Sequence, residues 1–387
     1  MRIGINATSL TERPSGAGQR FIGIYGALFQ SQPQNSYLIY EPRDCRVASW
    51  FVNQPNVIGV VTPLRGNDRW QRLLRGATYW NRRLRGDRLD LFETLHLPAV
   101  RAPDCPTILT VHDIRAGGAG EPLVARTLYH SLLRRSLRRV NAVVTVSDAM
   151  RAELAAVDPH VSITTIYNGV NRVPFEAAAR KGAAIAQSLG LPNNFLLAVG
   201  HFEPRKNYRA LVAAMTHLRT TGPDLHLQIV GRDGGTLEET RAQVEALGLG
   251  DRVTLRTEVD DAALHRLYRS ARALVFPSLY EGFGIPLLEA MAAGLPMAVS
   301  DLAVFRELTE DQAAYFPPHD PAAIARVIGD LLGSPERQQA MIAYGFGRAG
   351  DFSFDGLARQ LDALHQQVRL AKPLGETDPR GQAGDRS

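Results

Sequence analysis

The feature that most constrains this chain is an alternation. Short runs rich in β-branched residues are separated by longer segments whose apolar residues recur at helical spacing. This is the mark of parallel sheets covered by helices, because each parallel pairing needs a crossover long enough to hold a helix. A first series of strands is expected at Arg2 to Asn6, Tyr37 to Tyr40, Val57 to Val61, Leu89 to Phe92, Thr107 to His112, Ala142 to Ser147 and Ser162 to Tyr167. A second is expected at Phe195 to Gly200, Leu225 to Val230, Val253 to Arg256, Ala273 to Pro277 and Pro296 to Ser300. Between them, Asn168 to Asn194 holds Pro174, Gly182, Gly190 and Pro192 and no strand-like run, which predicts a linker plus one helix.

The expected organisation is therefore two Rossmann-like α/β domains, residues 1–170 and 171–354, with a helix over 355–370 returning to the first. Residues 372–387 carry no apolar period and are expected to be disordered. A length of 387 residues suits two domains of about 100–200 residues each.

Composition removes several classes of function. The two cysteines, Cys45 and Cys105, support neither a disulfide framework nor a metal site, so a reducing compartment is expected. The first residues run into a strand without the pattern of a signal peptide, and Gln30 to Ser36 interrupts the longest charge-free stretch, so no membrane span is expected. There is no P-loop, no Gly-x-Ser-x-Gly, no His-Glu-x-x-His and no Asp-x-Asp. Lysine occurs only at positions 181, 206 and 372, so each one draws notice.

Four segments could carry chemistry, and in open α/β sheets the address to test is the carboxyl end of a strand. In Pro277 to Pro296, Glu281 follows the strand, Gly282-x-Gly284 permits close backbone approach and opens a helix suited to an anion, and Glu289 lies about two turns further on. Two such carboxylates suit hydroxyls of a transferred sugar and of a nucleotide ribose. A solvated helix-start Glu followed by a surface Glu is the alternative. After the first strand of the second domain, Arg205 and Lys206 are placed to hold a diphosphate, against the alternative of a solvated surface pair. His112, ending the run Thr107 to Val111, can donate to a ligand oxygen or carry a proton with Asp113 orienting it; a structural strand-end pair is the alternative. Pro14 to Arg20 contains Gly16 and Gly18 but Phe21 where a dinucleotide fingerprint needs a third glycine. That disfavours NAD and leaves a loop for an acceptor or phosphate, or an ordinary turn.

Glu281 and Glu289 with seven residues between them, preceded by Pro-Ser-x-Tyr and followed by Ala-Met-Ala-Ala-Gly-x-Pro, resemble the signature of the retaining glycosyltransferases of family 4. The resemblance extends through Ser15 to Gly18, Val111-His112-Asp113, Val146-Ser147, Tyr167 to Val170, Pro204 to Asn207, Val230-Gly231 and Ser300-Asp301 to Glu307. It implies a GT-B fold, two Rossmann-like domains facing each other across a cleft, and transfer of a hexose from a nucleotide sugar with retention and without a metal or other cofactor. It further implies that Arg205 and Lys206 neutralise the donor diphosphate, Glu281 holds sugar hydroxyls, Glu289 binds ribose, and the backbone at Phe283 and Gly284 cradles phosphate. His112 would reach the donor sugar, Gly16 to Gly18 would line the cleft, and Gly200 belongs to the donor side. Many relatives have Arg directly after the residue matching Gly200, where this chain has His201, which shifts weight to Arg205. Within the family the motifs look most like bacterial polysaccharide mannosyltransferases, so GDP-mannose is the expected donor and a glycan or lipid-linked molecule the expected acceptor.

The formal charge of +5 is matched by residues 61–90 alone, where eight arginines face three aspartates. Arg65, Arg69, Arg72 and Arg75 recur at helical spacing, and Trp70, Leu73, Leu74, Trp80 and Leu84 offer apolar surface. This segment is expected either to dock on an anionic membrane surface or to be a solvated face with core anchors. The resulting expectation is a cytoplasmic protein, free or peripheral at the inner face of the membrane. Nucleic acid is disfavoured, since the arginines are not interleaved with a stacking platform. Rival readings are a nucleotide-sugar epimerase of related fold and a non-catalytic sugar-binding relative.

Overall fold

Every strand among the described residues pairs in parallel with its neighbours. The structure, a computed structural model, describes residues 1–12, 16–66, 79–114, 123–175, 192, 194–221 and 224–371. Among these residues it forms two units, Met1–Asn168 with Phe354–Ser387, and Gly169–Ser353. The expectations made for Ser15, for Trp70, Arg69, Arg72, Leu73, Leu74 and Arg75, for Lys181 and for the 372–387 tail lie outside the described residues.

The first unit contains β1 (Arg2–Asn6), β2 (Ser36–Glu41), β3 (Val57–Val61), β4 (Leu91–Thr94), β5 (Thr107–Val111), β6 (Ala142–Thr145) and β7 (Ile163–Thr165). They are ordered β3-β2-β1-β4-β5-β6-β7, so the order reverses between β1 and β4. β4, β5 and β6 are buried along their whole length, as strands covered on both faces must be. The helices are α1 (Gly16–Arg20) and α2 (Gly26–Ser31), joined by a π-helical turn over Phe21–Tyr25, then α3 (Leu123–Leu137) and α4 (Asp148–Val157). Ser147 caps α4 by accepting from the Met150 amide at 3.1 Å, which satisfies one otherwise unpaired N–H of the first turn.

The second unit has β8 (Phe195–Val199), β9 (His226–Val230), β10 (Val253–Arg256), β11 (Ala273–Phe276), β12 (Met297–Ser300) and β13 (Ala314–Phe316), ordered β10-β9-β8-β11-β12-β13. The connecting helices are α5 (Tyr208–Thr221), α6 (Leu237–Ala246), α7 (Asp261–Ser270), α8 (Ile285–Ala293), α9 (Ala303–Thr309), α10 (Pro321–Leu332) and α11 (Pro335–Asp351). α8 is nearly all apolar, burying Leu287, Leu288 and Ala290 to Ala293, and Gly294 ends it in the left-handed conformation at φ 65°. The chain then returns to the first unit as α12 (Phe354–Val368), whose buried Leu357, Ala358, Leu361, Leu364, His365 and Val368 form one helical stripe. The Phe354 ring occupies the space a side chain at Gly23 would need, with a Cβ there meeting it at 2.2 Å.

The α/β class with two Rossmann-like parallel sheets is what the sequence predicts. Two details differ. The fourth strand runs Leu91–Thr94 instead of ending at Phe92, because Glu93 is buried inside it and bonded to Tyr25 and to His365 of α12. β13 was not expected, its three residues being too short to show a period.

Residues 79–87 are helical, and Trp80 and Leu84 (each 3% exposed) pack into a core cluster with Tyr40 and Phe92. Of the two alternatives for this segment, these two side chains match the core anchors of a solvated face; the free energy of burying them in the protein core leaves them unavailable to lipid. Arg82, Arg85 and Arg88 are exposed beside them, while Arg83 pairs with Asp87 at 2.7 Å. No helix among the described residues is long and apolar enough to cross a membrane.

Candidate active site

In the second unit the strand order reverses between β8 and β11, and the loops leaving these two strands are stitched together. After β8 the chain turns at Gly200 (φ 149°), forms a short 3-10 turn over Pro204–Lys206, and enters α5 through Asn207 in the left-handed conformation (φ 55°). The Asn207 side-chain amide donates to Pro277 O at 3.1 Å and Pro318 O at 2.7 Å, and Leu279 N donates to Arg205 O at 2.7 Å. Gly231, at the end of β9, is required by close backbone approach, since a Cβ there would lie 1.8 Å from Gly200 O.

This stitching brings Arg205, Lys206 and Glu281 together on a single oxygen. Glu281 Oε1 accepts from Arg205 Nη1 and Lys206 Nζ at 2.6 Å each and from Ser278 Oγ at 2.9 Å. Arg205 Nε also donates to Glu203 Oε2 at 2.7 Å, and the Lys206 ammonium lies 4.4 Å from the Phe276 ring centroid. Burial would raise the Glu281 pKa, but attraction to Lys206 and Arg205 outweighs it and holds the carboxyl below its ordinary range. For Lys206, burial dominates and lowers the pKa, with Glu281 opposing and Arg205 adding to the effect. The Arg205 side chain is the most open of the three, 23% exposed against 7% for Lys206 and 11% for Glu281.

The sequence reading treated the Arg-Lys pair and Glu281 as separate ligands for separate parts of a substrate. The fold makes them one charge cluster, with Glu203 and Ser278 as members that local reasoning missed. Ser278 stands three residues before Glu281 and Glu203 two before Arg205, spacings that suit turn contacts but resemble many solvated loops.

Glu289 makes its contact elsewhere in the unit, accepting a hydrogen bond from Tyr268 of α7. Burial is the largest cause of its raised pKa, with Asp261 adding to it and Tyr268 opposing. Phe283 is buried with its ring edge-on to Phe352 at 6.3 Å, and Gly284 (φ 137°) precedes α8, with no side-chain bond capping the helix. The positive end of the α8 dipole lies beside this loop, a favourable place for negative charge, while Pro286 has no N–H and Leu287 N already donates to Gly284 O at 2.9 Å.

His112 belongs to the first unit and follows β5, beside the β1/β4 reversal. Its pKa is pushed down to about 4, first by burial and then by the Arg20 cation, with Asp113 opposing. Near neutral pH the imidazole is thus held uncharged, a form that can donate a hydrogen bond or accept one. Gly16 opens α1 and Gly18 is buried within it. Two residues on, the buried Arg20 guanidinium donates to Ile166 O (2.8 Å), Tyr167 O and Asn168 Oδ1 (3.2 Å), the last residues of this stretch of the unit.

The model for Glycosyltransferase Family 4 matches residues 38–172, and the model for Glycosyl transferases group 1 matches residues 183–348. The O-antigen chain mannosyltransferase RfbU of Salmonella typhimurium strain LT2 is 34% identical over 232 residues, 59% of this chain and 61% of that protein. A GDP-mannose:cellobiosyl-diphosphopolyprenol alpha-mannosyltransferase of Komagataeibacter xylinus is 30% identical over 220 residues, 56% of this chain and 53% of that protein. The matches thus span less than two thirds of these relatives' lengths. The crystal structure of Anabaena HepE in complex with UDP and glucose shares the fold, with a TM-score of 0.74 at 17% identity over 95% of this chain and 100% of that one. Two sheets of this topology, the loops joined at the second reversal and the two family models covering most of the chain together assign it to the group 1, family 4 glycosyltransferases of the GT-B fold.

Proposed function

We propose that the protein is a retaining hexosyltransferase that moves mannose from GDP-mannose to a glycan or lipid-linked acceptor in cell-surface polysaccharide synthesis. The observation that carries this reading is the convergence of Arg205, Lys206 and Glu281 at the β8/β11 reversal, where two cations and a helix N-terminus suit a diphosphate and a carboxylate suits a sugar hydroxyl. The names of RfbU and the Komagataeibacter enzyme support mannose as the sugar and GDP-mannose as the donor.

In this reading Arg205 and Lys206 stay on Glu281 and meet the donor diphosphate with their remaining N–H groups, and the backbone at Phe283 and Gly284 contributes N–H groups to it, with Gly200 leaving room for the Lys206 side chain. Glu289 binds the ribose and Glu281 the transferred sugar. Neutral His112 donates to a substrate hydroxyl, and the backbone at Gly16 and Gly18 admits substrate closely. The bond from the anomeric carbon to the diphosphate oxygen breaks as the acceptor oxygen bonds to the same face of that carbon. The acceptor's proton leaves with the diphosphate. The charge that develops on the leaving group is met by fixed cations and helix N–H groups instead of a divalent ion, a role for which the sequence offers no Asp-x-Asp.

The test is product analysis over a panel of nucleotide sugars, with the anomeric configuration of the product read by NMR. Transfer from GDP-mannose with retention is expected, and Lys206→Ala should lose about 100-fold or more in turnover, the scale on which removing one preorganised charge-stabilising donor acts. An epimerised free nucleotide sugar, absence of any transfer, or near-normal rates in the folded Lys206→Ala protein would each overturn the reading.

A further inference from the structure

Glu289 is held by a partner that none of the glycine-rich motifs contains. Tyr268, 1% exposed on α7, donates its hydroxyl to Glu289 Oε2 on α8. Its ring is fixed independently of that bond: Phe175 packs edge-on against it at 5.8 Å, and Phe175 in turn packs edge-on against His265 of the same helix at 4.6 Å. Packing thus sets the aim of the hydroxyl before any ligand arrives.

We infer that Tyr268 is a positioning residue, holding one oxygen of the Glu289 carboxylate so that the other is presented to a pair of vicinal hydroxyls on the bound nucleotide. This rests on the assignment of Glu289 to the ribose. The chemistry requires help of this kind. Both burial of the carboxylate and the Asp261 charge favour the protonated form, which would lose an acceptor. The Tyr268 hydroxyl favours the ionised form. Of the other charged or titratable groups on α7, His265 meets Phe175, Arg269 donates to Ala293 O at 2.6 Å, and the Arg266 Nε is buried without a hydrogen-bond partner among the described residues; Tyr208 of α5 adds to the raised pKa of Tyr268. An ionised carboxylate with one oxygen already bonded has a fixed plane, so a ribose is recognised without the entropy cost of ordering a free side chain.

The experiment is calorimetric titration of GDP and UDP, and of their 2′-deoxy and 3′-deoxy counterparts, between pH 5 and 8. The native protein should favour the ribonucleotide over its deoxy forms by about tenfold, the loss expected when a buried polar group is left unpaired. In Tyr268→Phe, which keeps the ring and its packing, that preference should shrink to about threefold or less, and the pH at which ribonucleotide binding weakens should move upward. Phe175→Leu, which keeps the hydroxyl but loosens the packing that aims it, should lower the preference only part of the way toward the Tyr268→Phe value. A folded Tyr268→Phe protein with the native preference and the native pH midpoint overturns the inference alone. A native protein that binds ribo and deoxy forms equally, or binds neither, overturns the assignment of Glu289 and the inference with it. Should Tyr268→Phe fail to fold, 3-fluorotyrosine at position 268, a stronger donor on the same ring, should move the pH midpoint downward; an unchanged midpoint overturns the inference.

Discussion

Replacing Glu281 by Gln tests the electrostatics of the site most directly. The change keeps the side chain's shape and removes one negative charge from a cluster in which Glu203 and Glu281 face Arg205 and Lys206. In the native chain these four charges cancel, so an incoming diphosphate meets cations already committed to carboxylates. An anion bound on the same two cations would place its oxygens about 5 Å from Glu281 Oε1, given contacts of about 2.8 Å on either side of each nitrogen. At an effective dielectric constant of about 20, two unit charges at that separation repel by about 3 kcal/mol. Solvent near the partly exposed Arg205 and movement of its side chain reduce this to about 1–2 kcal/mol. Glu281→Gln should therefore bind GDP and UDP roughly 5- to 30-fold more tightly than the native protein.

The same change leaves the buried Lys206 without its carboxylate. Breaking a buried pair costs about 3–5 kcal/mol, lessened to about 2–3 because Gln still accepts one hydrogen bond. The expected pattern is thus a lower Tm without nucleotide, tighter nucleotide binding by calorimetry, and a large loss of turnover, since the proposed contact with the transferred sugar is damaged. A folded Glu281→Gln protein that binds both nucleotides more weakly than the native chain would refute the reasoning, because it would mean that the carboxylate assists the diphosphate.

Two further outcomes follow from the geometry. Gly231→Ala places a methyl group 1.8 Å from Gly200 O, so the backbone must shift; this should cost about 3 kcal/mol or more and lower Tm by roughly 6–12 °C in thermal unfolding, and an unchanged Tm would contradict the close approach. His112, with its pKa pushed down to about 4 from an ordinary 6.5, binds a proton more readily when the chain is unfolded. Its contribution to stability is therefore present above pH 6.5 and lost as the pH falls toward 4. An NMR titration of the histidine side chains should place its midpoint near 4, and a midpoint near 6.5 would mean that burial and Arg20 do not act on it.

Local signals made much of this protein legible. Continuous apolar runs such as Phe-Leu-Leu-Ala-Val at β8 and Ala-Leu-Val-Phe at β11 mark strands buried on both faces, and the helical spacing between them demands parallel crossovers. Where polarity and burial disagreed, that logic stopped short. Glu93 reads as the end of a strand because a carboxylate is costly to bury, yet Tyr25 and His365, the latter 272 positions away, supply the partners that let the strand continue through it.

The candidate residues at the second reversal were visible as types: a rare lysine beside an arginine after a strand, and two glutamates around a glycine turn. Their partnerships were not. The sequence by itself determined the class of fold and where chemistry-bearing residues stand relative to strand ends, because hydrophobic periodicity and turn chemistry act over neighbouring residues. Only the tertiary structure decided that Arg205 and Lys206 share one oxygen of Glu281, 75 positions beyond Lys206, that Tyr268 holds Glu289, and that Trp80 faces the core. Those contacts arise when parallel strands bring distant loops to the same edge of a sheet, and charge pairing and burial then act through space.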